Sequence, residues 1–297
     1  MFLNNATSGL NNLGNSCFFN SILQLLYQCS VLNKFIISNN INGSIIDIYT
    51  NFINSYSNSI VFSPILIIGY VSKKLNRNGY IQEDADEYFT FMLDKILDEI
   101  NKWIINKCIN NYILDNKNIT VSQLIKNLFS IENKNKVICP LCYFESNTSE
   151  INNRMILSIN NNASNLNDLL YNYYKKEILS DENKIECSNC NKKINATLTK
   201  TIFKLPKYLI IVLNRFNNNN TKNNNNIDMP LNFKLSYKNY LLRGIVHHSG
   251  STEGGHYIYY GKKDTWKLYN DSTINCVNDE NINNIKNFGY IYLYVDK

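Results

Sequence analysis

The sequence predicts an α+β fold, with helices gathered in residues 9–128 and strands dominating from about residue 201 onward. Three observations carry this. Apolar residues recur at helical spacing after Cys17 and again from Tyr88. Short runs rich in Ile, Val and Tyr fill the last third. Between these regions stand two CxxC pairs, Cys139/Cys142 and Cys187/Cys190.

A chain of 297 residues holds one large domain with a subdomain, or about two domains. Charged residues make up 18%, below the usual ~25%, and asparagine supplies much of the missing polarity. The net charge of +6 is mild, and Lys and Arg are scattered without the basic run that marks a nucleic-acid footprint. MFLNNATS (residues 1–8) is too short and polar for a signal peptide. No stretch approaches the ~18–20 apolar residues of a membrane span. Eight cysteines, four of them in CxxC pairs, fit a reducing intracellular compartment, cytoplasm or nucleus, better than a disulfide framework.

The first helix is expected to open at Cys17. Asn15 or Ser16 offers an N-cap side chain. Phe18, Ile22, Leu25 and Leu26 then share a face, with Phe19 and Leu23 beside it. Cys17 falls in the first turn, where free N–H groups and the helix dipole favour the thiolate of a group whose ordinary pKa is about 8.5. The position suits a nucleophile. On this stretch alone a buried structural cysteine is the commoner reading.

QEDADEY (82–88) opens a second amphipathic helix, with Tyr88, Met92, Ile96 and Ile100 on one stripe. Asp84 with Glu87 three residues on resembles a capping box, so the pattern by itself assigns these acids to a helix start. CPLC (139–142) and CSNC (187–190) together supply four soft thiolates, the donor set of structural zinc. Their separation places them on different hairpins. Four cysteine ligands leave no open position for a catalytic water, so the metal is architectural. Residues 166–174, between the pairs, read as a helix.

After residue 196 the pattern turns to strands. KYLIIVL (207–213) is a continuous apolar run, as in a core strand. NNNNTKNNNN (217–226) is a low-complexity insert, expected to be a mobile loop, and the sequence assigns it no role. Further strands are expected at 243–247, 256–260, 265–269 and 289–295.

The chain has three histidines, His247, His248 and His256, so a histidine base for Cys17 is one of these. His256 follows Gly254-Gly255 at the mouth of a strand, where a substrate backbone can pass close by. If Gly261 faces Thr265 across the next turn, His256 faces Asn270, whose amide oxygen can fix the imidazole tautomer. A two-residue turn on Lys263-Asp264 would oppose His256 to Asp271 instead, but lacks the usual glycine. Asn270 is therefore preferred as third member, with Asp271 as runner-up or as a charged helper.

At this point the sequence resembles the ubiquitin-specific proteases. GLNNLGNSCFFNSILQLL (9–26) looks like their Cys box and GGHYIYYGKKDTWKLYND (254–271) like their His box. QEDADEY is similar to the QQDAxEF motif, with Glu83 and Tyr88 departing from the commonest residues. CPLC…CSNC, LPKYLIIVLNRF (205–216) and FGYIYLYV (288–295) match the zinc-bearing fingers and core strands. The resemblance implies a papain-like fold across residues 9–297 after a short tail, 1–8. The helical thumb would span about 9–128, the fingers about 129–200 with neighbouring strands, and the palm about 201–297.

The same resemblance implies a thiol protease that hydrolyses the bond after the C-terminal glycine of ubiquitin, in ubiquitinated proteins or polyubiquitin chains. It assigns Cys17, His256 and Asn270 as the triad, although many members carry Asp where this chain has Asn270. Asn12 becomes the oxyanion donor. Asp84 holds the ubiquitin tail and Tyr257 borders its channel, with Gln82, Glu87 and Gly255 beside them. One structural zinc, no catalytic cofactor and a monomer without nucleic-acid or membrane partners are expected. Two rivals stand: a protease for another ubiquitin-like modifier, and a non-catalytic ubiquitin-binding scaffold.

Overall fold

The computed structural model describes residues 8–78, 81–107, 112–114, 117–119, 121–160, 162–216 and 221–297. Two apolar cores lie on opposite faces of one long sheet, and a small sheet projects from them.

The helical half runs β1 (Gly9–Leu10), α1 (Cys17–Gln28), α2 (Ser30–Ser38), α3 (Ser44–Tyr56), β2 (Val61–Phe62), α4 (Ile65–Lys74), α5 (Ala85–Lys107), β3 (Tyr112–Leu114), β4 (Lys117–Ile119) and α6 (Val121–Phe129). This matches the expected helical segment, apart from two short strand pairs. Helix α1 is buried at every position from Cys17 to Leu26, because it lies between α5 and the long sheet. Its Asn20, Gln24 and Gln28 form an i, i+4 polar row inside that contact, and each is hydrogen-bonded. Helix α3 takes its N-terminal cap from a distant residue. The Glu99 carboxylate, on α5, accepts from Ile45 N–H and Ile46 N–H at 3.1 Å.

Next come β5 (Ile131–Ile138), β6 (Glu145–Asn152), β7 (Met155–Ser158), α7 (Leu166–Tyr174), β8 (Glu177–Leu179), β9 (Ile185–Glu186), β10 (Lys193–Ile194) and β11 (Ala196–Lys204). The small sheet has the order β6-β5-β11-β8. Residues 129–200 do not all belong to it. Strand β7 pairs in parallel with a strand of the long sheet, and α7 packs on that sheet's core, since their apolar residues find their partners there.

The remainder gives β12 (Tyr208–Asn214), β13 (Asn232–Leu235), β14 (Lys238–Gly250), β15 (Gly255–Lys262), β16 (Trp266–Asn270), β17 (Thr273–Val277), α8 (Asp279–Ile285) and β18 (Ile291–Asp296). The long sheet runs β17-β16-β15-β14-β18-β12-β7, with β13 on β14. Tyr208, Ile210 and Val212 of β12 face the helical core, while Leu209, Ile211 and Leu213 face the other. Burial on both faces explains the unbroken apolar run.

Residues 217–220 of the Asn-rich insert lie outside the described residues. Residues 221–226 depart from the expected mobile loop, because a buried cation organises them. Arg215 is 2% exposed, and its guanidinium donates to the carbonyls of Gly289 (2.8 Å), Asn223 (3.1 Å), Asn225 (2.9 Å) and Asn287 (3.1 Å). Lys222 Nζ adds a bond to the His248 carbonyl at 2.7 Å. Arg215→Ala is expected to destabilise the fold by roughly 3 kcal/mol, since bonds to a charged donor contribute about 1.5–3 kcal/mol each and water recovers part of the loss. Urea denaturation measures it; an unchanged midpoint would show that the insert is not anchored this way.

Candidate active site

Cys17 opens α1 and is 3% exposed. Its Sγ accepts a hydrogen bond from Tyr257 N–H, on β15, at 3.5 Å. The helix terminus acts on its pKa in the expected direction, downward, but it does not prevail. Burial pushes the thiol up, and the carboxylate of Asp271 acts in the same direction. The N–H groups of Tyr257, Phe18 and Cys17 itself pull the other way and lose to desolvation. A cation beside Cys17, such as a protonated imidazole, is therefore needed to hold a thiolate.

His256 directly precedes Tyr257. Its Nε2 meets Asn270 Oδ1 at 2.7 Å, which leaves Nδ1 as the other ring nitrogen. The pairing is right, but the predicted register is off by two. Gly261 faces Lys267 and Tyr259 faces Tyr269. The turn therefore holds three residues, Lys263–Thr265, and Asn270 is diagonal to His256 rather than opposite. A shift of two keeps every side chain on its face, whereas the one-residue alternative through Asp271 would have reversed them.

Asp271 instead serves the Cys17 loop. It sits in the left-handed region (φ 49°) in the two-residue turn between β16 and β17. Its Oδ2 accepts from Asn12 Nδ2 at 2.9 Å and its Oδ1 from Asn20 Nδ2 at 2.7 Å, while its carbonyl accepts from Leu10 N–H at 2.8 Å. Asn12 Oδ1 in turn accepts from Gly14 N–H and Ser16 N–H at 3.1 and 3.0 Å. Asn12 is thus held at both ends, by its amide hydrogen and its amide oxygen. Ser16 occupies the N-cap position but makes no side-chain cap; its Oγ accepts from Leu13 N–H. Asn20 was missed by the sequence reading, although a polar residue among buried apolar ones on α1 was a usable signal.

The residues expected along the substrate tail divide. Asp84 caps α5, accepting from Asp86 N–H (2.7 Å) and Glu87 N–H (3.1 Å), and Tyr290 OH donates to it at 2.8 Å. Burial raises its pKa. Only this half of the capping box forms, because Glu87 reaches outward to Arg77 at 3.3 Å. Gln82 grips Gly255 from both sides, Nε2 to its carbonyl (2.7 Å) and Oε1 from its N–H (2.9 Å). Gly255 has no room for a Cβ, which would run into the Ser249 carbonyl oxygen and His248 Nε2. The glycine answers this close approach of its own chain. Tyr257 is 4% exposed with its ring against His248, so its backbone N–H, rather than its ring, reaches the site.

At the tip of the small sheet the four cysteines converge, their Sγ atoms all within 4.8 Å of one another. Cys142–Cys187 and Cys139–Cys190 are 3.6 and 3.9 Å apart. Four thiolates about 2.3 Å from one ion, in a tetrahedron, would lie about 3.8 Å apart. The donor set and its spacing therefore form a possible metal site. The two knuckles repeat one geometry. Cys139 O accepts from Tyr143 N–H and Cys187 O from Asn191 N–H, with Tyr143 and Asn191 both left-handed (φ 57° and 53°).

Comparison with known proteins gives the family. The family model described as ubiquitin carboxyl-terminal hydrolase matches residues 8–294. The chain is 26% identical to ubiquitin carboxyl-terminal hydrolase Usp2 of Drosophila melanogaster, over 96% of this chain and 34% of that protein. It is 28% identical to ubiquitin carboxyl-terminal hydrolase 8 of Saccharomyces cerevisiae, over 97% of this chain and 70% of that one. It thus spans only about a third of the Drosophila relative. A solved SAGA DUB module (Ubp8, Sgf11, Sus1 and Sgf73) bound to monoubiquitin has a chain that superposes on all of this one with a TM-score of 0.78, at 25% identity and 70% coverage of that chain. With one family model matching it nearly from end to end, the chain belongs to the ubiquitin carboxyl-terminal hydrolase family.

Proposed function

We propose that the protein is a thiol-dependent deubiquitinase acting through Cys17, His256 and Asn270. The observation that carries this is the join between two distant segments. The Tyr257 N–H bonds the Cys17 sulfur, and the preceding residue, His256, is fixed by Asn270. His256 takes the thiol proton, and Cys17 sulfur attacks the carbonyl carbon of ubiquitin's terminal glycine. Asn12 and nearby N–H groups receive the oxyanion, a role worth about 10²–10³ in rate. As the carbon–nitrogen bond breaks, His256 returns the proton to the leaving lysine amine. Water then hydrolyses the thioester and frees ubiquitin.

Asp84 and the Gln82–Gly255 clamp flank the channel for the ubiquitin tail, whose arginines meet the acids at the start of α5. Polyubiquitin chains and ubiquitinated proteins are the substrates. Cys139, Cys142, Cys187 and Cys190 hold one structural zinc, and a monomer in a reducing compartment, cytoplasm or nucleus, suits the free thiols.

Ubiquitin carrying a C-terminal electrophile tests the reading: one adduct per chain is expected, on Cys17. An adduct with another modifier and none with ubiquitin would overturn the substrate assignment.

Neutralising Asp271 has a signed consequence. Its charge disfavours the Cys17 thiolate, so Asp271→Asn is expected to move the acidic limb of kcat/KM to lower pH while reducing kcat, because Asn12 loses a charged partner. A limb that stays put would show that Asp271 does not act on Cys17.

A further inference from the structure

A cavity of about 450 Å³ lies on the flank of α1, bounded by β12, β14 and the β15–β16 hairpin. Its ionic lining is one-sided. Lys207, Arg243, Lys262, Lys263 and Lys267 are opposed by a single carboxylate, Asp264. Lys262 is paired with Asp279 at 3.4 Å, and Arg243 reaches the Lys263 carbonyl at the same distance. Among the described residues no carboxylate pairs with Lys207, Arg243, Lys263 or Lys267. Lys207, Arg243 and the hairpin residues Lys263 and Lys267 come from three places in the fold and line one space. That suits a compact anion better than an extended acidic segment.

The remaining wall is aromatic and built. Tyr27, Tyr208, Tyr259 and Tyr269 line it. Gln28 closes the floor, donating to the carbonyls of Arg243 (2.8 Å) and Lys262 (2.6 Å) and accepting from Tyr259 OH. The Tyr27 hydroxyl is buried and has no hydrogen-bond partner among the described residues, although a buried donor ordinarily finds one. The volume falls in the range of small-molecule sites.

We propose that this cavity is a binding site for a small phosphate ester with a flat ring, of mononucleotide size. The phosphate sits among Arg243, Lys263 and Lys267, and the ring lies against the tyrosines. The inference is independent of the catalytic reading, since Cys17, His256 and Asn270 do not line the cavity.

Calorimetric titration of the full chain at about 0.15 M salt, where exposed charges are screened, tests it with ADP, adenosine and inorganic pyrophosphate. ADP is expected to bind and to raise the melting temperature, with adenosine and pyrophosphate each at least tenfold weaker. Arg243→Ala/Lys267→Ala is expected to weaken ADP at least tenfold at an unchanged ligand-free melting temperature. The control Lys73→Ala/Lys74→Ala, on α4, leaves ADP affinity as in wild type. The proposal is overturned if ADP does not bind, if both double variants weaken it equally, or if a polyglutamate peptide binds more tightly than ADP.

Discussion

Cys17→Ala is expected to lower turnover of a ubiquitin amide substrate by on the order of 10⁶, the scale on which loss of a nucleophile removes covalent catalysis. The fold should survive, because the side chain is small and the Tyr257 N–H loses only a 3.5 Å contact with sulfur. Ubiquitin affinity should be unchanged, since the surfaces flanking the tail are untouched. Kinetics and binding therefore separate the two roles: a variant that binds ubiquitin yet does not cleave supports the nucleophile. One that cleaves as well as wild type would refute the assignment of Cys17 as the nucleophile.

How far the sequence reaches can be judged from particular residues. The Cys17 helix, the α5 stripe, the β12 core strand and the two knuckles are legible because each rests on a local period or spacing. His256 with Asn270 is legible for a subtler reason. Side-chain alternation has a period of two, so the two-residue error in register preserved the face and the pair. What stayed hidden is where polar side chains find distant partners. Gln82 could bond a substrate or Gly255, and only the fold decides for Gly255. Glu87 could close a capping box or meet Arg77, and the ion pair wins. Arg215 ends a strand unremarkably in sequence, yet it anchors an insert whose composition reads as disorder. Asn20, Gln24 and Gln28 also went unread, although their spacing carried a signal. Three polar residues at i, i+4, i+8 in a buried helix signal a hydrogen-bonded seam.

Loss of the metal site is expected to unfold the tip of the small sheet while leaving the catalytic cleft assembled. The tip has little else to hold it. Its core is Cys139, Cys187, Ile194 and Ala196, with Val137 and Ile185 partly buried beside them. The neighbouring strand β6 is exposed along most of its length. So small an apolar cluster cannot offset the ordering of two knuckles, whereas structural zinc contributes about 10–16 kcal/mol in finger peptides. Metal analysis is expected to find one zinc per chain, and Cys142→Ser/Cys187→Ser to find none. In that variant, amide exchange should become fast around residues 137–144 and 185–194, and KM for ubiquitin should rise. Alkylation of Cys17 by a small electrophile should keep its wild-type rate, because α1 and β15 pack in a separate core. Folded, active protein without bound metal would refute the zinc assignment. A parallel loss of Cys17 reactivity would instead mean that the tip and the cleft fold as one unit.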